Sequence, residues 1–300
     1  MKFRYPLGAM LLVAPLLLGG SAFADVIDLT TDGGGSILIK FNNFESFGNL
    51  SSSGALQVGT TNFGVFEVTN ITKNGASLYS APSTSSSGDY ILGVFNGITV
   101  TSVGGSGTNL NTGNSGGVFG FYEVSKADLT SHGLNANNIY SSIFGQGTGG
   151  YAAAGCSVNT PCYHGITDVG ATDYLNLSLV PGADAAGDTL AASLSTTSVP
   201  VTGSAGGYGD ITGGAADTQF VKGTFTTGVG TKADVHFADE FCPNGSGGQC
   251  TPHVGNWQQE SFDPANATVV PEPRSIALFG SALLALSFVG YRRRGNHPRA

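Results

Sequence analysis

Charge is scarce in this chain. Only 11% of its 300 residues are Asp, Glu, Lys or Arg, against about a quarter in an ordinary globular domain. From Asp25 to Val269 there is no arginine, and the fixed cations are Lys40, Lys73, Lys126, Lys222 and Lys232. Nineteen carboxylates oppose them, so this stretch carries about −14. Such a surface repels phosphate backbones and anionic lipid, which excludes nucleic-acid binding through a basic patch. It is compatible with divalent cations and a hydrated matrix. No phosphate loop, dinucleotide fingerprint or helical metal motif occurs, so no cofactor is expected and the chain does not read as an enzyme. No uncharged apolar run reaches the length of a comfortable membrane span, about 20 residues.

Glycine, by contrast, is abundant at 47 residues, about twice the usual share. Phe, Val, Ile and Leu still recur in blocks, enough to bury a core. Gly, Asn, Ser and Thr punctuate those blocks, the pattern of many short strands joined by turns. Alternation and β-branched content predict strands at 36–41, 63–71, 89–95, 97–103, 117–124, 173–180, 189–195, 219–227 and 233–241. Asn96-Gly97 separates two of these and predicts a type I′ hairpin. Gly-Val-Phe occurs at 64–66, 93–95 and 117–119 with unequal spacing, so it reads as repeated strand chemistry and not as a repeat architecture. Only the stretch after Ser125 looks helical, with Ser125 as N-cap and Asp128 completing a capping box. The expected fold is all-β, an antiparallel β-sandwich or jelly roll with long Gly/Ser-rich loops. An outer-membrane barrel fits less well, because the strands are irregular and the loops long.

The two ends differ from this body. Lys2 and Arg4 precede an apolar run from Leu7 to Leu18, and Ala22 and Ala24 occupy the small positions that signal peptidase requires. Residues 1–24 therefore read as a signal peptide, with 25–269 as the exported β-rich body. At the other end Ile276 to Tyr291 carries no charge. As a single hydrophobic helix its 16 residues would span about 24 Å, short of a bilayer core of about 30 Å. Arg292, Arg293 and Arg294 follow and would stay on the cytoplasmic side. Ahead of it, Pro271 and Pro273 hold Glu272 in extended chain.

This layout of "VPEP", apolar helix and Arg-rich tail, placed at the extreme C-terminus, resembles the PEP-CTERM sorting signal of Gram-negative bacteria. The likeness covers residues 270–300, about a tenth of the chain. It implies that Pro271, Glu272 and Pro273 are read by an exosortase while the helix rests transiently in the inner membrane. It further implies release of the body to the outer envelope or an extracellular polysaccharide matrix, with a structural role in biofilm or floc formation. A permanent single-pass anchor is the alternative for the same segment, and a secreted carbohydrate-binding module is the alternative for the body.

Four cysteines fall in two close pairs, Cys156 with Cys162 and Cys242 with Cys250. In an oxidising compartment each pair is expected to close a small loop, worth about 2.5 kcal/mol by chain entropy. His236, Cys242, Cys250 and His253 could in principle bind zinc, but the spacing favours the disulfide and no metal is expected. Ser115 sits in a Gly-x-Ser-x-Gly frame with no histidine before it and no predicted helix after it, so it reads as a chance match. Asp184 with Asp188, and Asp239 with Glu240, are the carboxylate pairs at calcium-binding range, though neither follows the twelve-residue loop. Tyr140, Tyr151, Tyr163, Tyr208 and Trp257 are the aromatics that could stack on sugar rings.

Overall fold

The alternating stretch around Phe66 forms the middle of β2 (Thr61–Lys73), with partners along both edges. In the computed structural model, residues 26–30, 33–82, 88–131, 170–184, 186–242, 257–271 and 281 are described. The remaining strands are β1 (Gly35–Gly48), β3 (Ala76–Ser80), β4 (Asp89–Ser106), β5 (Asn109–Ser115), β6 (Val118–Ser125), β7 (Thr172–Val180), β8 (Leu190–Leu194), β9 (Gly203–Gly213), β10 (Phe225–Thr226), β11 (Lys232–Ala233), β12 (Val235–Cys242) and β13 (Gln259–Val269). One short helix, α1 (Lys126–Ser131), follows β6.

The strands run antiparallel in the order β2-β1-β13-β12-β9-β7-β6-β4, and β4 pairs back onto β2 to close the ring. Between β4 and β9 the wall is split: β6 and β7 fill one half, and the antiparallel pair β5 and β8 fills the other. The protein is thus all-β, as its alternation indicates, but the sheet is barrel-like where two stacked layers were expected. Alternation reports that one face is buried, which a sandwich and a barrel share. Closure depends on the ladder between 61–67 and 92–99, which no local pattern announces.

The split also explains the Asn96-Gly97 pair. No hairpin forms there. β4 runs on through Gly97 (φ +78°), and its partner changes from β6 to β5 at that point. Strand 219–227 is likewise not formed as predicted: a 3-10 turn occupies Asp217–Gln219, Phe220 makes one isolated bridge to Val269, and only Phe225–Thr226 forms a strand. Strands β3, β5, β9 and β13 lack a strong β-branched pattern, and the sequence reading missed them. In β9 the glycines make room, since a Cβ on Gly207 would lie 2.5 Å from the Thr189 carbonyl oxygen.

The interior is built on phenylalanine. Phe41, Phe66, Phe95, Phe119, Phe121 and Phe237 are all buried and interlock across it. Phe66 meets Phe121 edge-on at 4.7 Å between centroids, and Phe119 stacks on Phe95 and Phe237 at 5.4 Å each. The repeated Gly-Val-Phe tripeptide gives this lattice its register. Two copies pair antiparallel, Gly64 with Phe95, Val65 with Val94, and Phe66 with Gly93. Each ring lies over the other strand's glycine: a Cβ on Gly93 would fall 1.9 Å from the Phe66 ring, and one on Gly64 2.8 Å from Phe95. The third copy sets Phe119 opposite Phe95 from the other side.

Chain segments cover both ends of the ring. At one, Leu29 is fully buried, its N–H donating to Gln219 Oε1 at 2.7 Å, while Tyr174 donates to the Ile27 carbonyl. At the other, Leu56 and Val201 are buried and the 49–60 and 195–202 segments bridge at Ala55 and Ser198. A second apolar cluster lies outside the ring, where Phe44, Val65, Leu92 and Val124 are covered by Leu129 of α1 and by Trp257. Ser125 caps α1 as its spacing predicts: the Asp128 N–H donates to Ser125 Oγ at 3.0 Å, and that hydroxyl donates to Asp128 Oδ2 at 2.6 Å. Ser125→Ala is expected to cost about 1 kcal/mol, read as a lowered urea midpoint with unchanged slope.

Candidate functional site

Where the sequence leads one to look for chemistry, the structure mostly separates the groups. Ser115 ends β5 on the exposed surface, and Gly116 and Gly117 lead into β6 without a helix. The strand–elbow–helix that presents a hydrolase nucleophile is therefore not formed. His236 and Cys242 lie on one strand, six residues apart, which is about 20 Å and too far for a shared ion. Asp239 and Glu240 are neighbours in that strand and point to opposite faces, Glu240 to solvent. Asp184 instead shapes its own turn, accepting from the N–H groups of Ala186 and Asp188, while Asp188 accepts from Thr101. Among the described residues, no group of three or more His, Cys, Asp or Glu side chains is arranged to hold a metal ion.

Trp257 does not offer a platform to sugar. It is 2% exposed and packs under α1 and β1. Tyr208 is different: it projects from the outer face of β9 beside His236, ring centroids 4.9 Å apart, with Phe225 6.0 Å beyond. All three rings are half-buried. His236 is opposite Tyr208 on one side and Asn266 on the other, so the rings lie in a row across the strands. Burial holds the His236 imidazole below its ordinary pKa. Tyr140, Tyr151, Tyr163, Cys156, Cys162, Cys250 and His253 lie outside the described residues, as do Ala22, Ala24, Glu272, Pro273, Arg292, Arg293 and Arg294. Cys242 is described only as the last residue of β12.

The sequence reading also missed a polar layer inside the barrel. Inward positions on β1 run Phe41, Asn43, Glu45, and those on β13 run Gln259, Ser261, Asp263. Glu45 and Asp263 are 2% and 3% exposed. Asn62 donates to Glu45 Oε2 at 2.7 Å, and Ser261 donates to Glu45 Oε1. Asp239, half-buried, reaches in from β12 to the same cavity as Asp263. Loss of water raises the pKa of all three carboxyls, Asp239 to about 7 and Asp263 well above the usual carboxylate range. These groups border a cavity of about 20 Å³, room for about one water molecule and far below the several hundred Å³ of a ligand pocket. A carboxyl in a strand of mixed polarity carries no local mark of which way it points; alternation from Phe41 through Asn43 to Glu45 is the one signal that could have found this layer.

The outer face carries Asn176, Ser178, Ser204, Asp210, Thr212, Glu240 and Thr268. Polar side chains at these positions differ from the apolar band of a lipid-facing barrel. Compared with known protein families, curated proteins and solved structures, the chain matches none.

Proposed function

We propose that the chain is an exported protein of the outer envelope or exopolysaccharide matrix of a Gram-negative bacterium, trimmed at its C-terminus by an exosortase, with a structural role in biofilm or floc formation. The observation that carries this reading is the "VPEP" stretch followed by the uncharged segment Ile276 to Tyr291 and Arg292, Arg293 and Arg294. In it, 1–24 directs export, the C-terminal hydrophobic helix halts in the inner membrane, and Glu272 between its prolines is recognised. Among the described residues no helix is long and apolar enough to cross a membrane. The hand-over from body to tail suits such processing. β13, the last strand of the ring, ends at buried Val269, and Pro271 is exposed two residues later against Gly34. Cutting beyond that point severs no strand among the described residues.

Truncation after Pro271 should leave thermal melting unchanged while the protein passes from the cell surface into the medium. Mass spectrometry of the native C-terminus should find the apolar segment gone. A mature chain that keeps the segment would mean a permanent anchor, and undiminished display of the truncated chain would sink the sorting reading.

The row Phe225, His236, Tyr208 favours one second reading, a carbohydrate-binding module in which these rings stack on extracellular polysaccharide. Tyr208→Ala should then lose retention on that polysaccharide with little change in melting, and equal retention would remove the reading.

A further inference from the structure

We propose that Asp239 and Asp263 share a proton inside the barrel, and that this pair makes the fold a pH-sensitive device, tight in acid and loosened as the proton leaves.

The geometry comes first. On β12 and β13, Phe237 is opposite Ala265 and Glu240 is opposite Phe262. That register sets Asp239 opposite Asp263, on adjacent strands and on the inner face. Both carboxyls border the same small cavity, and two facing carboxyls can hydrogen-bond to one another only if one carries a proton. The third carboxyl, Glu45, sits across the same layer.

The surroundings hold no counter-charge. β1 faces the pair with Phe41, Asn43 and Glu45; β2 with Asn62; β4 with Phe95 and Ile98; β6 with Phe119; β7 with Leu179; β8 with Leu190; and β9 with Ala205 and Gly207. Lys40 and His236 belong to the outward set of their strands. Lys73 lies by Ile37, eight residues from Glu45 along β1, and is bound to the Gly33 carbonyl; that is about 26 Å away.

A donor deficit is the second, independent observation. Asn43 Oδ1, Asn62 Oδ1 and Asp263 Oδ1 are buried, are all acceptors and have no hydrogen-bond partner, and their residues border the one cavity. Asn43 is 3% exposed. The layer is rich in acceptors and short of donors, and each proton placed on a carboxyl turns an acceptor into a donor. Burial of a lone carboxylate costs far more than burial of the neutral acid, so ionising the pair strains the interior.

The sign follows from linkage. In the unfolded chain these aspartates ionise near pH 3.8; in the barrel Asp239 holds its proton to about pH 7, and burial also raises Asp263 well above that ordinary value. Above the unfolded value the folded state binds more protons, so stability is full below about pH 4 and is lost as pH rises through about 7. Asp89 and Asp210, also raised by burial, add in the same direction, whereas His236, lowered by burial, weakens the fold only on the acid side.

The experiment is the melting temperature of the purified exported protein from pH 4 to 9, with Asp263→Asn and Asp239→Asn beside it. The wild type should lose several degrees between pH 5 and 8, and each variant should lose less than half as much and overtake it at pH 8. A wild-type profile that is flat or rises, or an equal slope in the variants, overturns the proposal. So does recovery of the wild type at pH 8 on adding calcium, reversed by chelator, because a cation and not a proton would then neutralise the layer. Should the variants fail to fold, infrared spectroscopy of the wild type at pH 6.5 reads the pair directly. The carbonyl stretch of a protonated carboxyl is expected there, and its absence sinks the idea.

Discussion

Phe66→Ala is expected to destabilise the barrel by about 3–5 kcal/mol, lowering the melting temperature by roughly 6–20 °C for a body of this size. Phe66 is fully buried at the junction of Phe41, Phe119 and Phe121. Its opposite, Gly93, sharpens the test. Gly93→Ala drives a methyl into the ring from 1.9 Å, with the rest of the core packed behind it. Overpacking of this kind costs about 1–3 kcal/mol alone. In the double variant the added methyl occupies space that the ring has vacated. The two losses should therefore sum to more than the double variant shows, by about 0.5–3 kcal/mol as for residues in contact. Strict additivity would mean that the ring and the glycine are not a unit, and that the repeated tripeptide sets no register.

The second large effect concerns Trp257, the single tryptophan and the first aromatic one would mutate in search of a sugar site. Trp257→Ala should cost about 3–5 kcal/mol of stability, because the indole is buried with Phe44, Leu92 and Leu129 outside the barrel wall. Denaturant unfolding measures the loss. Whatever binding to polysaccharide the wild type shows should persist in the variant at temperatures where it remains folded. Binding that disappears from a folded variant would overturn this placement and restore the indole as a contact residue. Tyr208, half-buried on the outer face, is the aromatic whose removal separates binding from folding.

How much of this was legible beforehand depends on the distance over which each signal acts. The α1 cap was legible because Ser125 and Asp128 make it between themselves. β1, β2, β6, β7 and β12 were legible because alternation along one strand reports one buried face. β9 was not, since its glycines are chosen by what packs against them, the Thr189 carbonyl among others. β13 was not, since it alternates small and polar residues, Ala265 and Ala267 inward with Asn266 outward. Asn96-Gly97 misled for a related reason: a pair suited to a tight turn also suits a bend, and the strand continued because β5 lay along the same edge to receive it. The Gly-Val-Phe copies were visible as a repeat, but their use was not, because a ring and the glycine beneath it belong to different strands.

By itself the sequence determined that residues 25–269 are acidic, arginine-free and patterned for β-structure, between an apolar N-terminal run and an apolar C-terminal run followed by arginines. Those are properties of composition and local period, and they hold however the strands pair. Only the tertiary structure decided that the sheet closes on itself, that Trp257 is buried, and that Glu45, Asp239 and Asp263 line one small cavity. Each of these rests on residues tens to hundreds of positions apart, brought together by ladder register, and burial away from water then changes what the same carboxyl groups do.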